Sequence, residues 1–293
     1  MNTKKFSIII CAYNVEKYIG NAIESILNQS FRDFELIICN DGSIDNTLEV
    51  IQSYKDSRIV IIDNKQNSGP SVARNLAVNK AIGEYILYLD GDDTLYEDET
   101  LAKINDVIGE EEIDLIYFGV QYVGGNGKAY IPNEENSTKE ARIACDMHFP
   151  VASKCFRREF LNNQNIEFIN GMYYEDMVYS IKAAIFANKI KYGSFPIYNY
   201  YRNRQGSIMT TPSIKRCSDM YKMLEELIKL YEITPEKYKP YLLSFIKNET
   251  HGVPDRIDAI LKSINDKTYA PVFNKRNYKF LGGINNGNEI NNS

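Results

Sequence analysis

Tyr85-Ile86-Leu87-Tyr88-Leu89-Asp90-Gly91-Asp92-Asp93 is the stretch on which the fold turns. Five apolar residues read as one strand, and the run ends at three carboxylates within four residues. Like charges this close repel unless a cation or hydrogen-bond donors compensate. If the backbone stays extended through Asp92, period-two geometry puts Asp90 and Asp92 on one side. A near-continuous apolar strand is buried on both faces, as in a parallel sheet covered by helices.

The flanking chain repeats this pattern. Upstream, Phe6 to Ala12 is an apolar run, followed by Ile19, Ala22, Ile23, Ile26 and Leu27 on one helical face. Phe34 to Cys39 is a second strand, and Asp45 is placed to cap a helix carrying Leu48 and Ile51. Ile59 to Ile62 is a third strand. Val72, Leu76 and Ala77 mark a helix starting near Pro70. Downstream, Thr100 to Ile108 reads as a helix and Leu115 to Val123 as a strand. Strands alternating with helices imply βαβ units with right-handed crossovers.

Gly124-Gly125-Asn126-Gly127 is a strong turn, after which the regularity weakens. Lys128 to Ile131 suits a hairpin strand, and 132–147 reads as a polar surface excursion. Val151 to Phe156 suits a strand, and Arg157 to Leu161 a helix. Glu175 to Ala187 is helical, and Lys189 to Tyr192 and Ile197 to Tyr201 are two short strands. From Ser213 to Ile264 the pattern is helical. The expected organisation is a domain over 1–212, divided into a nucleotide-binding half (1–95) and an acceptor-side half (96–212). A helical C-terminal extension over 213–280 and a disordered tail over 281–293 follow.

Composition narrows the function. The 293 residues include 34 Lys plus Arg against 39 Asp plus Glu, a net charge of −5, which argues against nucleic acid as a partner. Hydrophobic residues at 44% suit an ordered globular chain. No apolar run approaches the roughly 18 residues of a membrane span. Five cysteines (Cys11, Cys39, Cys145, Cys155, Cys217) form no CxxC pair, which suits reduced thiols. His148 and His251 are the only histidines, and His148 reads as structural.

Each of the first four strands ends in a polar cluster: Ala12-Tyr13-Asn14 with Glu16; Asn40-Asp41-Gly42-Ser43; Asn64 with Asn67-Ser68-Gly69; and Asp90-Gly91-Asp92-Asp93. In a parallel sheet these carboxyl ends share one edge, where open α/β folds bind ligands. The hard oxygens of Asp90, Asp92 and Asp93 suit Mg²⁺ or Mn²⁺, which keep few protein ligands and hold substrate phosphates. There is no GxxxxGK[ST] loop, and no GxGxxG follows the first strand, so neither a P-loop NTPase nor a dinucleotide oxidoreductase fits.

These motifs make the chain resemble glycosyltransferase family 2, whose fold is GT-A. The resemblance is carried by Phe6 to Asn14, Ile38 to Thr47, Asn67 to Asn75 and Leu89 to Asp93. It is weaker through Ser153 to Arg158, Tyr174-Glu175-Asp176 and Tyr200-Tyr201-Arg202. It implies an α/β fold with a Rossmann-like, mostly parallel sheet flanked by helices. The implied activity is inverting transfer of a sugar from a nucleoside diphosphate, UDP by default, to an acceptor hydroxyl. It also implies that Ala12, Tyr13, Asn14 and Glu16 lie at the nucleoside pocket and that Asp41 accepts a hydrogen bond from the base. Asn67, Gly69 and Gly91 line the donor site, and Arg74 contacts the base or diphosphate unless it is a salt bridge from a helix to an acidic loop. Asp90, Asp92 and Asp93 share ribose and metal contacts. Arg202 and Arg204 belong to a loop suited to closing over the diphosphate.

Inversion by direct displacement needs a base on the sugar face opposite the diphosphate, hence from another segment. Glu175-Asp176, opening a helix after Met172-Tyr173-Tyr174, is the candidate. The resemblance favours Asp176 as base and Glu175 as an acceptor or supporting contact. Acids are also favoured in a helix first turn by the macrodipole alone. Lys154 is a further residue that could face the site. A nucleotidyltransferase of related fold and a donor-binding protein without catalysis are the other readings, and the acidic motifs favour glycosyl transfer. The implied setting is bacterial surface polysaccharide synthesis, with a glycan or lipid-linked glycan acceptor, in the cytoplasm or at the inner face of the membrane. The helical extension could pack on the catalytic domain, form a homodimer or approach the membrane. Its mixed charges resemble a solvated face and allow at most peripheral membrane association.

Overall fold

A computed structural model of the chain describes residues 3–124, 127–132, 138–144, 150–201 and 214–250. The first four strands are β1 (Lys4–Ala12), β2 (Phe34–Asp41), β3 (Ile59–Asn64) and β4 (Gly83–Asp90), separated by helices α1 (Ile19–Leu27), α2 (Thr47–Ser53) and α3 (Pro70–Lys80). They pair in parallel in the order β3-β2-β1-β4. The chain builds outward from β1 to β3, then returns across β1 to lay down β4 on its other side. The carboxyl ends of β1 and β4 thus flank a topological switch point, where adjoining loops diverge and leave a crevice.

The remaining strands are β5 (Thr94–Leu95), β6 (Leu115–Val123), β7 (Ala129–Tyr130), β8 (Lys154–Arg157) and β9 (Ile190–Tyr201). They continue the sheet as β4-β8-β6-β9-β5, with β7 paired to β6. Here the sheet is mixed: β8 runs antiparallel to both β4 and β6, while β6 and β9 are parallel. Where two short strands were expected, β9 is one strand with irregular pairing to β6. Gly193 lies in this irregular stretch, and a Cβ there would come within 2.3 Å of the Phe118 ring.

Helices α4 (Thr100–Ile108), α5 (Lys139–Ala144), α6 (Arg158–Asn163), α7 (Glu175–Phe186) and α8 (Ile214–Ile233) follow, residues 239–250 are also helical, and 3₁₀ turns cover Val151–Ser153 and Glu236–Tyr238, so the strand expected from Val151 begins only at Lys154. Strand alternation divides the core in two. Ile8, Ile10, Leu36, Ile38, Leu87 and Leu89 pack with α1 and α4 on one face. Ile9, Ile37, Ile86 and Tyr88 pack on the other with α7 and with Cys217, Met220, Leu224 and Leu227 of α8. Each such side chain contributes about 1.5–3 kcal/mol by leaving water. The extension, as far as it is described, therefore packs on the domain. The expected polar excursion also differs, because Arg142 and Ile143 of α5 are buried. None of the helices among the described residues is long and apolar enough to cross a membrane. The expected tail over 281–293 lies outside the described residues.

Candidate active site

The parallel register brings the polar strand ends together. Ala12 is level with Asn40, Asp41 with Asn64, and Cys11 with both Cys39 and Asp90. The loops beyond are tied pairwise. Asn14, at φ 54°, donates its N–H to Ser43 Oγ (3.1 Å) and accepts from Ile44 N–H (2.9 Å). Asparagine tolerates this left-handed conformation better than most residues. Glu16 accepts from the backbone and side chain of Asn46 (2.9 and 2.8 Å); Asn46, not the expected Asp45, is the N-cap of α2, and Asp45 accepts Thr47 N–H at 3.0 Å from one residue earlier. Buried Ala12 and exposed Tyr13 lie at the mouth between these loops.

Asp41 organises the next crossing. Its carboxylate accepts from Ser68 N–H (3.0 Å), Ser68 Oγ (2.6 Å), Gly69 N–H (2.7 Å) and Asn64 Nδ2 (3.1 Å), and it is 3% exposed. Asn67 Oδ1 accepts from the same Gly69 N–H at 3.1 Å. The approach requires Gly42: its φ is 70°, and a Cβ would lie 2.6 Å from backbone atoms of Gln66 and Asn67.

The acidic motif divides by burial. Asp90, with its side chain 48% exposed, and the half-buried Asp92 stand at the crevice, joined by buried Gly91. Asp93 turns inward, 1% exposed, and accepts Tyr201 N–H at 3.0 Å, so it fastens the end of β9 beside the motif. Among the described residues no three His, Cys, Asp or Glu side chains converge into a ready-made metal cluster. Two carboxylates at an open crevice do fit a hard divalent ion that draws its other ligands from water and phosphate.

Arg74 joins this motif to the acidic pair of α7. It is 8% exposed and donates through Nη1 to Glu175 Oε1 (2.6 Å) and through Nη2 to Asp90 Oδ1 (3.1 Å). Its guanidinium lies 5.1 Å from the Phe168 ring centroid. Burial works against its charge, but Glu175 and Asp90 outweigh burial, so it stays protonated. Burial pushes the Glu175 carboxyl up; Arg74 pulls it down and Asp176 repels it, with a net upward displacement. Asp176 is half-buried in the first turn of α7.

Several residues not singled out from the sequence hold this pair. Tyr174, just before α7, adopts φ 66°, a conformation that costs a non-glycine residue on the order of 1–3 kcal/mol. Asn75 exchanges two hydrogen bonds with the Phe168 backbone, at 2.8 and 3.0 Å. Phe168 stacks on Tyr179 of α7 at 3.9 Å. Fully buried Asp219 of α8 accepts Tyr173 N–H at 2.9 Å and pairs with Lys215, which reaches Gly171 O at 2.9 Å. Lys154, which the sequence suggested could face the site, instead lies wholly inside the core and donates to Ser180 Oγ at 3.2 Å, one turn beyond Asp176 on α7. Burial keeps the thiols of Cys11 and Cys39 protonated, that of Cys39 pushed up to about 12, which disqualifies them as nucleophiles. Arg202 and Arg204, like His148, lie outside the described residues.

Comparison with known proteins shows the family and the fold. The family model described as "Glycosyl transferase family 2" matches residues 7–176. The poly(ribitol-phosphate) beta-N-acetylglucosaminyltransferase TarS of Staphylococcus aureus (strain Mu50 / ATCC 700699) is 29% identical over 226 residues, 75% of this chain and 39% of its own length. The chain thus spans about two fifths of that relative. Glycosyltransferase GlyG of Streptococcus pneumoniae serotype 4 is 28% identical over 70% of this chain and 73% of its own. The S. aureus TarS 1–349 structure in complex with UDP-GlcNAc superposes with a TM-score of 0.64, at 23% identity, over 87% of this chain and 83% of that one. A mannosyltransferase from Pyrobaculum calidifontis in complex with GDP-Man and Mn²⁺ gives 0.63 at 15% identity, over 97% and 80%.

Proposed function

We propose that this chain, which belongs to glycosyl transferase family 2, transfers a sugar with inversion from a nucleoside diphosphate donor, UDP by preference, to an acceptor hydroxyl, with a divalent cation assisting. The observation that carries this reading is Arg74, whose two contacts put the strand-end carboxylate Asp90 and the acidic start of α7 in a single site. A donor site and a proton acceptor on separate segments are what an in-line displacement requires.

The nucleoside end lies at Ala12, Tyr13, Asn14 and Asp41, with Glu16 and Asn46 bracing the loops around it. A base reaching Asp41 would exchange with the Ser68 hydroxyl, the contact most easily rotated away. Asn67 and Gly69 shape the wall beside it, and Arg202 and Arg204 are assigned to the diphosphate. Asp90 and Asp92 would hold Mn²⁺ or Mg²⁺, with Asp93 fixing the turn beneath them. When bound, that cation acts as a Lewis acid and offsets the negative charge that develops on the departing diphosphate. Asp176 takes the proton of the acceptor hydroxyl while the new bond forms at the anomeric carbon and the bond to the diphosphate breaks. Glu175, pinned by Arg74, orients the start of α7 and the acceptor. The TarS relative, and UDP-GlcNAc in its structure, favour a uridine donor and a cell-surface polymer or other glycan as acceptor. A nucleotide-sugar donor favours work in the cytoplasm or at the inner face of the membrane, on soluble or lipid-linked acceptors.

The test is incubation with a panel of nucleotide sugars and Mn²⁺, measuring donor binding and nucleoside diphosphate release. UDP-sugars should bind with Mn²⁺ and release UDP. Release of pyrophosphate would transfer the reading to nucleotidyl transfer, and binding of no donor with or without Mn²⁺ would sink it.

A further inference from the structure

Arg74 stands on a segment assigned to the donor, yet its contacts are both to this chain's own carboxylates. The two contacts are unequal. The Glu175 contact is 2.6 Å long between side chains that are each 9% exposed, whereas the Asp90 contact is 3.1 Å long to a side chain 48% exposed. Attraction is strong between desolvated charges and weak where water screens them. Glu175 is therefore the anchor and Asp90 the labile partner. The guanidinium fork gives each a separate nitrogen, so one contact can be lost without breaking the other. Arg74 lies against the Phe168 ring, and Asn75 clamps the Phe168 backbone to the same helix, so the guanidinium has supports that do not depend on Asp90.

We infer that Arg74 is a shared counter-ion, a positioning residue that couples the two acidic ends of the site: on engaging a divalent cation Asp90 leaves Arg74, which then serves Glu175 alone. This rests on the placement of the cation at Asp90. Arg74 competes with the cation for Asp90, and Glu175 relieves that competition by holding Arg74. Coupling is reciprocal, so whatever Asp90 gains by leaving, the Arg74–Glu175 pair gains as well. Donor-side loading thereby tightens the start of α7, directly after the strained Tyr174 and next to Asp176.

The signs are opposite to those of a donor ligand. Arg74→Gln removes the competitor and tightens binding of Mn²⁺ alone. Glu175→Gln leaves Arg74 to Asp90 and weakens Mn²⁺ binding, although Glu175 makes no contact with Asp90, by about fivefold or more. In an Arg74→Gln background the same Glu175→Gln change moves Mn²⁺ affinity less than about twofold, because the connection is gone. Isothermal titration calorimetry with MnCl₂, and with UDP in the presence of chelator, reads these effects without turnover. UDP affinity in chelator should be the same for Arg74→Gln and the unaltered chain. Should Arg74→Gln not fold, Arg74→Lys keeps one charge but no fork. It stays with Glu175, frees Asp90 and also tightens Mn²⁺ binding. Weaker Mn²⁺ binding in the Arg74 variant, a lost UDP contact, or no effect of Glu175→Gln would each overturn the inference. Failure of the unaltered chain to bind Mn²⁺ overturns both this inference and the metal assignment. Mn²⁺ binding with the expected shifts but no sugar transfer refutes the proposed function alone.

Discussion

The donor edge and the start of α7 are built in different ways. At the donor edge, loops belonging to adjacent parallel strands tie directly to one another: Asn14 to Ser43 and Ile44, Glu16 to Asn46, Asp41 to Ser68 and Gly69. The partners lie about one βα unit apart, and the sheet aligns them before any loop closes. The segment 168–176 has no such scaffold. It is held from α3 by Arg74 and Asn75, 101 and 93 residues upstream, and from α8 by Asp219, 46 residues downstream of Tyr173. The first arrangement makes a rigid recess. The second makes the proposed catalytic segment one whose placement depends on contacts that can be altered one at a time, without disturbing the recess.

The largest effect should come from within that segment. Asp176→Asn removes the proposed proton acceptor but keeps its size, and should lower turnover by about 10³-fold while leaving donor affinity unchanged. Parallel measurements of nucleoside diphosphate release and donor binding decide it. Full transfer by the variant would remove Asp176 from the mechanism. The opposite break is Gly42→Val. A β-branched residue at φ 70°, with its Cβ 2.6 Å from the 66–67 backbone, should cost about 3 kcal/mol or more in denaturant unfolding. In whatever fraction stays folded, donor affinity should suffer before turnover does. A variant of ordinary stability that binds donor normally would show that the crossing at Asp41 is dispensable.

The same contrast explains what could be read from the sequence. Apolar spacing placed α1 at Ile19–Leu27, α4 at Thr100–Ile108 and β6 at Leu115–Val123, because each buries one periodic face or an unbroken strand. The polar strand ends could be assigned to one edge because a parallel sheet leaves them no other place. Beyond residue 124 the local signals weaken. Strand direction is not written in periodicity, and β8 is only four residues long, so its antiparallel insertion between β4 and β6 came from tertiary pairing. Lys189 to Tyr192 and Ile197 to Tyr201 read as two short strands, whereas an irregular pairing carries Gly193 and Pro196 within the single strand β9. The stretch 132–147 reads as a polar surface excursion, yet within it the Arg142 guanidinium lies 5.3 and 5.4 Å from the rings of Tyr117 and Tyr192. Of the site, Glu175-Asp176 was visible as a pair of acids, but the long-range partners that position them were not. Asn75 stood in plain view beside Arg74, and its significance appears only when Phe168 is brought to it.

Asp219 offers the smallest and most discriminating break. It is an acid adjoining the apolar stripe Cys217, Met220, Met223 and Leu224, fully buried, with Tyr173 N–H and Lys215 as partners. Asp219→Ala leaves that N–H without its acceptor and should cost about 1–3 kcal/mol of stability. The half-exposed lysines add little, since water already screens them. The functional effect should be asymmetric. Tyr173 is three residues before Asp176, so turnover should fall by about tenfold, the size expected when a reacting group is slightly misplaced, while donor affinity at the distant recess stays within about twofold. Asp219→Asn keeps an oxygen for Tyr173 N–H and should recover most of the turnover without restoring the ion pair. Equal losses of donor affinity and turnover in Asp219→Ala would mean that α8 supports the whole domain rather than the catalytic segment, and the distinction between the two regions would fail.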